Sequence, residues 1–312
     1  MLEFYKTFED GTRKIAEPEP GCWINAVAPT EEERNFLIEQ IGILPEFVKS
    51  SLDEEESSHI DYDDDFRQVL IIFDYPSAEN EDDDSIDSTY STLPIGIVIL
   101  KGYVVTISLY ENWSILEMSQ GRIKGMDTRL KTRFFLLLAL RISQRFLICL
   151  RQIDRLSSRT ETRLHQSVEN DELIEMLGLE KSLVYFSTSL KSDEVTLSKI
   201  MRGKQIQLYE EDEDLLEDVM IEIHQAIEMC NIYSNTMAGT MDTFASIISN
   251  NMNIVMNKLT VITIVMAIPN IIFGFYGMNV QLPFLFVWFP SFVAILACVI
   301  ATVYFFRHNM FK

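Results

Sequence analysis

Charged residues are missing from a long stretch near the C-terminal end of the sequence. From Leu259 to Phe306 the sequence contains no Asp, Glu, Lys, Arg or His. One crossing of a bilayer needs about 20 apolar residues, and this stretch is considerably longer. The turn residues Gly277, Asn279 and Pro283 divide it, so we predict two membrane helices, over about 258–276 and about 285–306. A helical hairpin buried in a soluble core is the alternative, but uncharged runs of this length are uncommon there.

Cysteine and histidine are also few, with four of each. The cysteines are scattered without a close pair, which indicates reduced thiols rather than a disulfide framework or a zinc site. The histidines are too far apart in the sequence to suggest a set of metal ligands. The first 19 residues lack an apolar segment, so no signal peptide is expected. Because no Gly-rich phosphate loop and no nucleophile motif occurs either, we predict that the chain is not an enzyme.

Positive charge is scarce as well. The chain has 26 Lys and Arg against 47 Asp and Glu, a formal net charge of −21. This balance disfavours nucleic acid and anionic lipid as partners and favours cations. Lys258 precedes the first predicted span, Arg307 and Lys312 follow the second, and the loop between them has no Lys or Arg. The positive-inside rule therefore predicts a multi-pass protein of the cell membrane, plasma or inner, with both termini in the cytoplasm.

The rest of the chain has a mixed α/β pattern followed by long helices. Thr30 and Glu33 have the spacing of a capping box at a helix start. Residues 127–201 have a helical pattern, and the absence of strong breakers predicts one helix from Glu211 to Tyr276. A hairpin turn is expected at Lys101-Gly102. Short apolar, β-branched runs predict strands at 2–6, 22–27, 69–73, 95–100 and 103–109.

The expected fold class is an α+β cytoplasmic domain followed by long helices and two C-terminal transmembrane helices. We predict a cytoplasmic α/β domain over residues 1–125 and a long-helix region over 126–257, which includes the stalk of the first membrane helix. Residues 258–312 would then form the transmembrane domain, with an outer loop at 277–284 and a basic cytoplasmic tail.

Acidic residues are concentrated between Asp53 and Asp87. This window holds 15 carboxylates, and Arg67 is its only Lys or Arg. Solvated acidic loops are the simplest interpretation. A sensor for divalent cations is the alternative, because Mg²⁺ keeps most of its water ligands and binds proteins through one or two carboxylates. The spacing is not that of an EF-hand loop.

Small and polar side chains recur at steps of four and three along the predicted long helix. This is the coiled-coil period, which keeps one face turned to a common axis. Close packing of helices through small residues would explain it. We favour a water-filled pore, because polar groups in a bilayer face protein or water and because oxygen atoms recur at regular depths. This polar stripe comprises Asp242, Ser246, Ser249, Asn253, Met256, Thr260, Thr263, Ala267 and Asn270.

The outer end of the first predicted span is Phe275-Tyr276-Gly277-Met278-Asn279, and a Pro-containing helix precedes it. This arrangement resembles the CorA family of magnesium channels, whose signature is Tyr-Gly-Met-Asn after the first of two C-terminal membrane helices. The resemblance is strongest over about residues 210–283. It implies a homopentameric, funnel-shaped channel embedded in the lipid bilayer. It also implies Mg²⁺ as the transported and regulatory ion, with Co²⁺ or other divalent cations as further ions.

The resemblance also implies roles for individual residues. Five copies of the first membrane helix would surround the pore. Asp218, within Leu216-Glu217-Asp218-Val219, matches a carboxylate that holds regulatory Mg²⁺ together with an acid of the neighbouring subunit. That partner acid would fall near Glu79 to Asp84 and is not assigned. Gly277, Met278 and Asn279 match the outer ion site. The residues that the resemblance places at the pore are Asp242, Asn253, Met256 and Leu259, with Met256 and Leu259 as its apolar neck. The polar stripe adds Ser249, Thr260 and Thr263 as pore-lining residues.

Neutral oxygen atoms at the outer mouth suit a hydrated ion. The carbonyl groups at the end of a helix carry partial negative charge, and Asn279 adds an amide oxygen. Such groups accept hydrogen bonds from the waters of Mg²⁺, which dehydrates reluctantly. We therefore expect a passive Mg²⁺ influx channel that intracellular Mg²⁺ closes. The alternatives are a zinc or cobalt transporter of the same two-span plan and a non-conducting, membrane-anchored helical scaffold or sensor.

Two departures from the family pattern limit the comparison. Pro269 to Gly274 is one residue shorter than expected, so gate positions at Ala267 or Ile268 stay unassigned. The loop after Asn279 has no acidic residue, whereas relatives often carry one or more. Side-chain charge is therefore not expected to concentrate cations at this mouth.

Overall fold

A computed structural model describes residues 1–9, 11–78, 89–166, 170–203, 206, 208–278, 286 and 288–308. The chain forms two compact units, Met1–Ala238 and Gly239–Lys312.

A seven-stranded mixed sheet is the centre of the first unit. Its strand order is β2-β1-β3-β7-β6-β5-β4, and only the β3–β7 pair of this described sheet is parallel. All five predicted strands are present. The edge strands β2 and β4 were not predicted, because edge strands carry polar residues that hide the apolar alternation. The strands are β1 (Leu2–Phe8), β2 (Gly11–Ile15), β3 (Cys22–Val27), β4 (His59–Asp63), β5 (Gln68–Ala78), β6 (Tyr90–Ile99) and β7 (Tyr103–Ser108).

The predicted hairpin turn at Lys101-Gly102 is confirmed. It joins β6 to β7, which pair in antiparallel register. Leu100 and Tyr103 close the turn, because each donates its backbone N–H to the carbonyl of the other, at 3.1 and 3.3 Å. A loop of two residues leaves little freedom in register, so the turn fixes which residues of the two strands face each other.

Two short helices, α1 (Glu31–Phe36) and α2 (Pro45–Ser50), flank one face of the sheet. The predicted capping box is confirmed. The Glu33 N–H donates to the Thr30 hydroxyl at 3.3 Å, and the Thr30 N–H donates to the Glu33 carboxylate at 2.9 Å. Gly96 of β6 is needed for close packing, because an added Cβ would lie 1.9 Å from Ser51 Oγ at the end of α2. The core on this side is formed mainly by Ile24, Leu37, Leu70, Ile72, Val98 and Val105.

Long helices pack on the opposite face. α3 (Trp113–Ser119) precedes α4 (Lys131–Gln166), and α5 (Asn170–Arg202) returns beside α4. Phe134 and Phe135 of α4 meet Trp23 and Phe73 of the sheet, with ring centroids 5.1 and 6.0 Å apart. The apolar segment 134–140 of α4 therefore packs on the sheet.

The sixth helix, α6 (Glu210–Tyr276), is continuous and contains Pro269, which confirms the predicted long helix. In the first unit it packs through a buried stripe that includes Val219, Ile223 and Ala226. Cys230 donates its thiol hydrogen to the Leu183 carbonyl of α5, with the sulfur 3.1 Å from the oxygen. This part of α6 therefore belongs to the core of the first unit.

The second unit contains the remainder of α6 and the last helix, α7 (Phe289–Arg307). Val261 of α6 and Ala294 of α7 are buried. The Cys298 thiol contacts the Val265 carbonyl at 3.6 Å. α7 begins later than the expected start near residue 285, and Pro290 in its first turn favours a helix start there. Both helices contain windows long and apolar enough to cross a membrane, and little of either window is buried.

Candidate functional site

The polar stripe lies on the surface of α6 within the second unit. Eight of its nine residues are exposed, and Ala267 is half-buried. Three of its hydroxyl groups donate to the carbonyl four residues earlier: Ser246 to Asp242 at 3.0 Å, Thr260 to Met256 at 2.8 Å and Thr263 to Leu259 at 2.8 Å. Because each hydroxyl hydrogen is used within the helix, the oxygen presents acceptor lone pairs outward. Water molecules around a cation offer hydrogens, so the stripe has the polarity that a hydrated cation requires.

The stripe and the α7 contact lie on different sides of α6. Val261 and Val265 mark the side that faces α7. At 3.6 residues per turn, the stripe residues from Asn253 to Thr263 lie about 140° around the helix axis from them. Because α7 contacts a different side of α6, the stripe does not face α7. It is one surface along the helix, as the sequence predicted, and the described residues of the single chain leave it largely uncovered.

The two proposed neck residues are also exposed in the single chain. Met256 is 55% exposed and Leu259 is 56% exposed. Val255, Ile262 and Met266 add further exposed apolar surface on neighbouring positions of α6. Contiguous apolar surface of this kind is rare on a soluble monomer and marks contact with a membrane or another protein.

Only part of the predicted outer ion site can be located. The Gly277 N–H donates to the Phe273 carbonyl at 2.8 Å, and the Met278 N–H donates to the Phe275 carbonyl at 3.4 Å. Gly277 does not have a positive φ. Its lack of a side chain matters for space, since an added Cβ would lie 3.1 Å from the Phe273 oxygen. Asn279 lies outside the described residues.

Asp218, the predicted regulatory ligand, is exposed on the first-unit part of α6. The neighbouring Leu216 and Val219 are buried and orient the carboxylate away from the core. The suggested partner region from Glu79 to Asp84 lies outside the described residues. Within the described residues, no three His, Cys, Asp or Glu side chains are grouped so that they could hold a metal ion. Among the residues described, Asp218 is therefore not part of a group of three or more candidate ligands within one chain.

Sequence reasoning missed a buried pair of acids in the first unit. Asp74 of β5 is 7% exposed, and Asp193 of α5 is 0% exposed. The Asp74 N–H donates to Asp193 Oδ1 at 3.0 Å. A sequence signal for Asp193 existed, because it follows Phe186 and Leu190 at the spacing of buried helix positions. Acids are almost never fully buried, so an acid at such a position is unusual and could have been noticed in the sequence.

The geometry defines a membrane protein class: a large α/β unit, long helices and two candidate C-terminal spans, one of which carries an exposed polar stripe. The family model described as "CorA-like Mg2+ transporter protein" matches residues 19–308. The chain therefore belongs to the CorA family of divalent-cation transporters, whose members are transporters or channels and not enzymes.

Individual relatives agree with this assignment. The "Cobalt/magnesium transport protein CorA" of Methanocaldococcus jannaschii is 29% identical over 266 residues, which cover 82% of this chain and 79% of that protein. The complete structure of the CorA magnesium transporter from Methanocaldococcus jannaschii has a TM-score of 0.82 at 24% identity, covering 99% and 98% of the two chains. The full-length CmaX protein has a TM-score of 0.72 at 15% identity, covering 99% and 97%. These likenesses establish a CorA-like fold with an α/β domain, long helices and two candidate membrane helices.

Proposed function

We propose that the chain assembles into a homopentameric channel that admits Mg²⁺ through the cell membrane. Residues 1–125 and 126–257 would form its cytoplasmic part, 258–312 its membrane part, and both termini would lie in the cytoplasm. The observation that carries the proposal is the exposed polar stripe, which is continuous along α6 and lies away from α7.

A single chain cannot place this stripe in a bilayer at low cost. Polar groups within a membrane face protein or water rather than lipid, so Thr260 and Thr263 require one of these neighbours. A ring of copies satisfies the requirement, because each copy turns its stripe to a common axis and its apolar surface to lipid or to the next copy. Five copies is the number that the family resemblance implies.

The ion would pass this axis with most of its water shell. Hydroxyl and amide oxygens of the stripe accept hydrogen bonds from the bound waters and leave the ion hydrated, which suits Mg²⁺. Met256 and Leu259 would form the apolar neck, which closes when water leaves it. Gly277, Met278 and Asn279 would form the outer site, where helix-end carbonyls attract the ion.

Regulation would involve Asp218. Its exposed carboxylate has no ion-pair partner among the described residues, so it is available to a neighbouring subunit. Intracellular Mg²⁺ bound between subunits would favour the closed channel. A ligand shifts such an equilibrium only by its different affinities for the two states.

The direct test is Mg²⁺ uptake into liposomes that contain the purified protein. Asn253→Leu should abolish most uptake because it removes a polar ring from the stripe. Asn251→Leu is the matched control, since Asn251 is also exposed but lies about 160° around α6 from the stripe axis. Absence of Mg²⁺ uptake by the wild-type protein would favour the non-conducting scaffold. Equal losses of uptake in both variants would show that the stripe has no special role in conduction.

Cobalt transport is the second candidate function. The Methanocaldococcus jannaschii relative is named a cobalt/magnesium transport protein. Competition by Co²⁺ and Zn²⁺ in the same liposomes would rank the ions. If Zn²⁺ or Co²⁺ were taken up in preference to Mg²⁺, the proposed transported ion would be wrong, but the proposal of a cation channel would stand.

A further inference from the structure

One backbone amide of β5, just beyond its pairing with β4, requires a hydrogen-bond acceptor. β4 pairs with β5 only as far as His59 and Ile72, so the next amide on that side, Asp74, has no strand partner there. Asp193 of α5 supplies the acceptor through Oδ1, at 3.0 Å. The Ser58 hydroxyl donates to the Ile72 carbonyl at 2.9 Å. These contacts attach α5 to the edge of the sheet.

An amide side chain would provide the same acceptor without a charge. Asp193 is instead a carboxylic acid, is fully buried, and its Oδ2 has no hydrogen-bond partner among the residues that the structure describes. Asp74 is buried beside it, and among the described residues no Lys, Arg or His is an ion-pair partner of either carboxyl. Uncompensated buried charge is costly, so two ionised carboxylates are disfavoured at this position.

The pKa values of both acids are raised. Burial raises the pKa of Asp74 to about 6, although the Ser189 hydroxyl opposes this shift. Burial is also the main reason that the pKa of Asp193 lies well above its usual range, and the charge of Asp74 adds to it. Because the two groups interact, they titrate as a pair.

We propose that Asp193 holds a proton near neutral pH, and that the loss of this proton loosens the attachment of α5 to the sheet. A proton fits the enclosed Oδ2 better than Mg²⁺, because Mg²⁺ retains several waters that would need room. The surrounding donors are hydroxyls: Ser58 contacts Thr196 at 2.9 Å, and Ser189 contacts Thr92 at 2.8 Å. Neutral hydroxyls stabilise the pair without neutralising a second charge.

Other titratable groups surround the pair. Before β4, Glu56 lies 3.6 Å from His59. On α5, Lys191 and Glu194 flank Asp193 in the sequence, and Glu194 lies 2.5 Å from His224 of α6. The nearby residues of β6 are Thr92 and Pro94, which do not titrate. On α4, Phe135 contacts Phe73 of β5, and it does not titrate either. The Glu194–His224 contact links α5 to α6, so movement of α5 would reach α6. Any effect on transport rests on the proposed function.

The test measures thermal unfolding of the full-length protein in detergent between about pH 5 and about pH 8. The native state holds a proton that the unfolded state releases, so wild-type stability should fall as pH rises toward the folded-state pKa of Asp193. For each pH unit in this range, the unfolding equilibrium constant of the wild type should rise about tenfold relative to that of Asp193→Asn. That variant keeps the Oδ1 acceptor and removes the titration. Asp214→Asn, an exposed acid on α6, is the control and should keep the wild-type slope.

Equal pH slopes in wild type and Asp193→Asn would overturn the proposal. Should Asp193→Asn fail to fold, the infrared band of a protonated carboxyl in the wild type at neutral pH tests the proposal without a variant. Absence of that band also overturns the proposal. Stabilisation by Mg²⁺ that Asp193→Asn abolishes would assign the pair to a metal instead. None of these outcomes decides whether the protein transports Mg²⁺, which the liposome assay tests separately.

Discussion

Replacing Thr263 by valine removes one oxygen from the polar stripe with little change in shape. In the wild type the Thr263 hydroxyl donates to the Leu259 carbonyl at 2.8 Å and leaves its lone pairs outward. Thr and Val have similar helix propensities, and the lost bond lies within one helix, so stability should change by no more than about 0.5 kcal/mol. Any large loss of transport would therefore come from the pore and not from misfolding.

The expected loss follows from the hydrogen bonds of the hydrated ion. Each bond to a stripe hydroxyl is worth about 0.5–1.5 kcal/mol net. An ion that contacts two hydroxyls of the ring at once would lose about 1–3 kcal/mol in the variant. Since 1.4 kcal/mol is about a tenfold change in rate, Mg²⁺ uptake should fall by about 5-fold to about 150-fold.

Thr302→Val is the matched control. Thr302 of α7 is also exposed, and its hydroxyl donates to the Cys298 carbonyl at the same 2.8 Å. The two substitutions therefore change the same chemistry on different helices. Liposome uptake, with pentamer content checked by gel filtration, measures the difference. Equal uptake by Thr263→Val and Thr302→Val would refute the assignment of the stripe to the pore.

Three further predictions concern the outer site, the neck and regulation. Asn279→Ala should assemble normally and lose most Mg²⁺ uptake, because the outer ring loses an acceptor from each subunit; normal uptake would remove its assigned role. Met256→Ser and Leu259→Ser should each raise leak in high Mg²⁺, since polar side chains keep the neck wet, and channels as closed as wild type would place the neck elsewhere. Asp218→Ala should shift Mg²⁺-dependent protection from proteolysis to higher Mg²⁺, whereas Glu217→Ala, also exposed, should not; identical midpoints for wild type and Asp218→Ala would make Asp218 a solvated helix acid.

Local chemistry explains what the sequence could predict. The Thr30–Glu33 capping box and the Lys101-Gly102 turn depend on residues within a few positions, and the structure contains both. The continuous α6 and the two apolar helices follow from long runs without breakers or charge. In each case neighbouring residues carry the whole signal.

Non-local contacts explain what the sequence could not predict. The parallel pairing of β3 with β7 joins residues about 80 positions apart, such as Ile24 and Val105. The contact between Asp74 and Asp193 spans 119 positions. Asp74 directly follows the apolar run 69–73, but a place beside a strand does not show what covers the side chain. Contact with Asp193 of α5 accompanies its burial, whereas the other acids of the 53–87 window are exposed or half-buried where described.

The distribution of charge along α6 supports an ion path with one acidic end. Asp242 is the last acidic residue of the chain, and it begins the polar stripe. Beyond it the stripe contains only neutral residues, and α7 and the loop before it add no acid. In the proposed pentamer, five copies of Asp242 would form a ring of carboxylates at the cytoplasmic end, which raises the local concentration of cations. The outer end would rely on carbonyl and amide oxygens alone, which bind a hydrated ion weakly enough to release it inward. An uncharged outer mouth followed by an acidic inner ring therefore favours passage of the ion along the stripe over tight binding at its entrance.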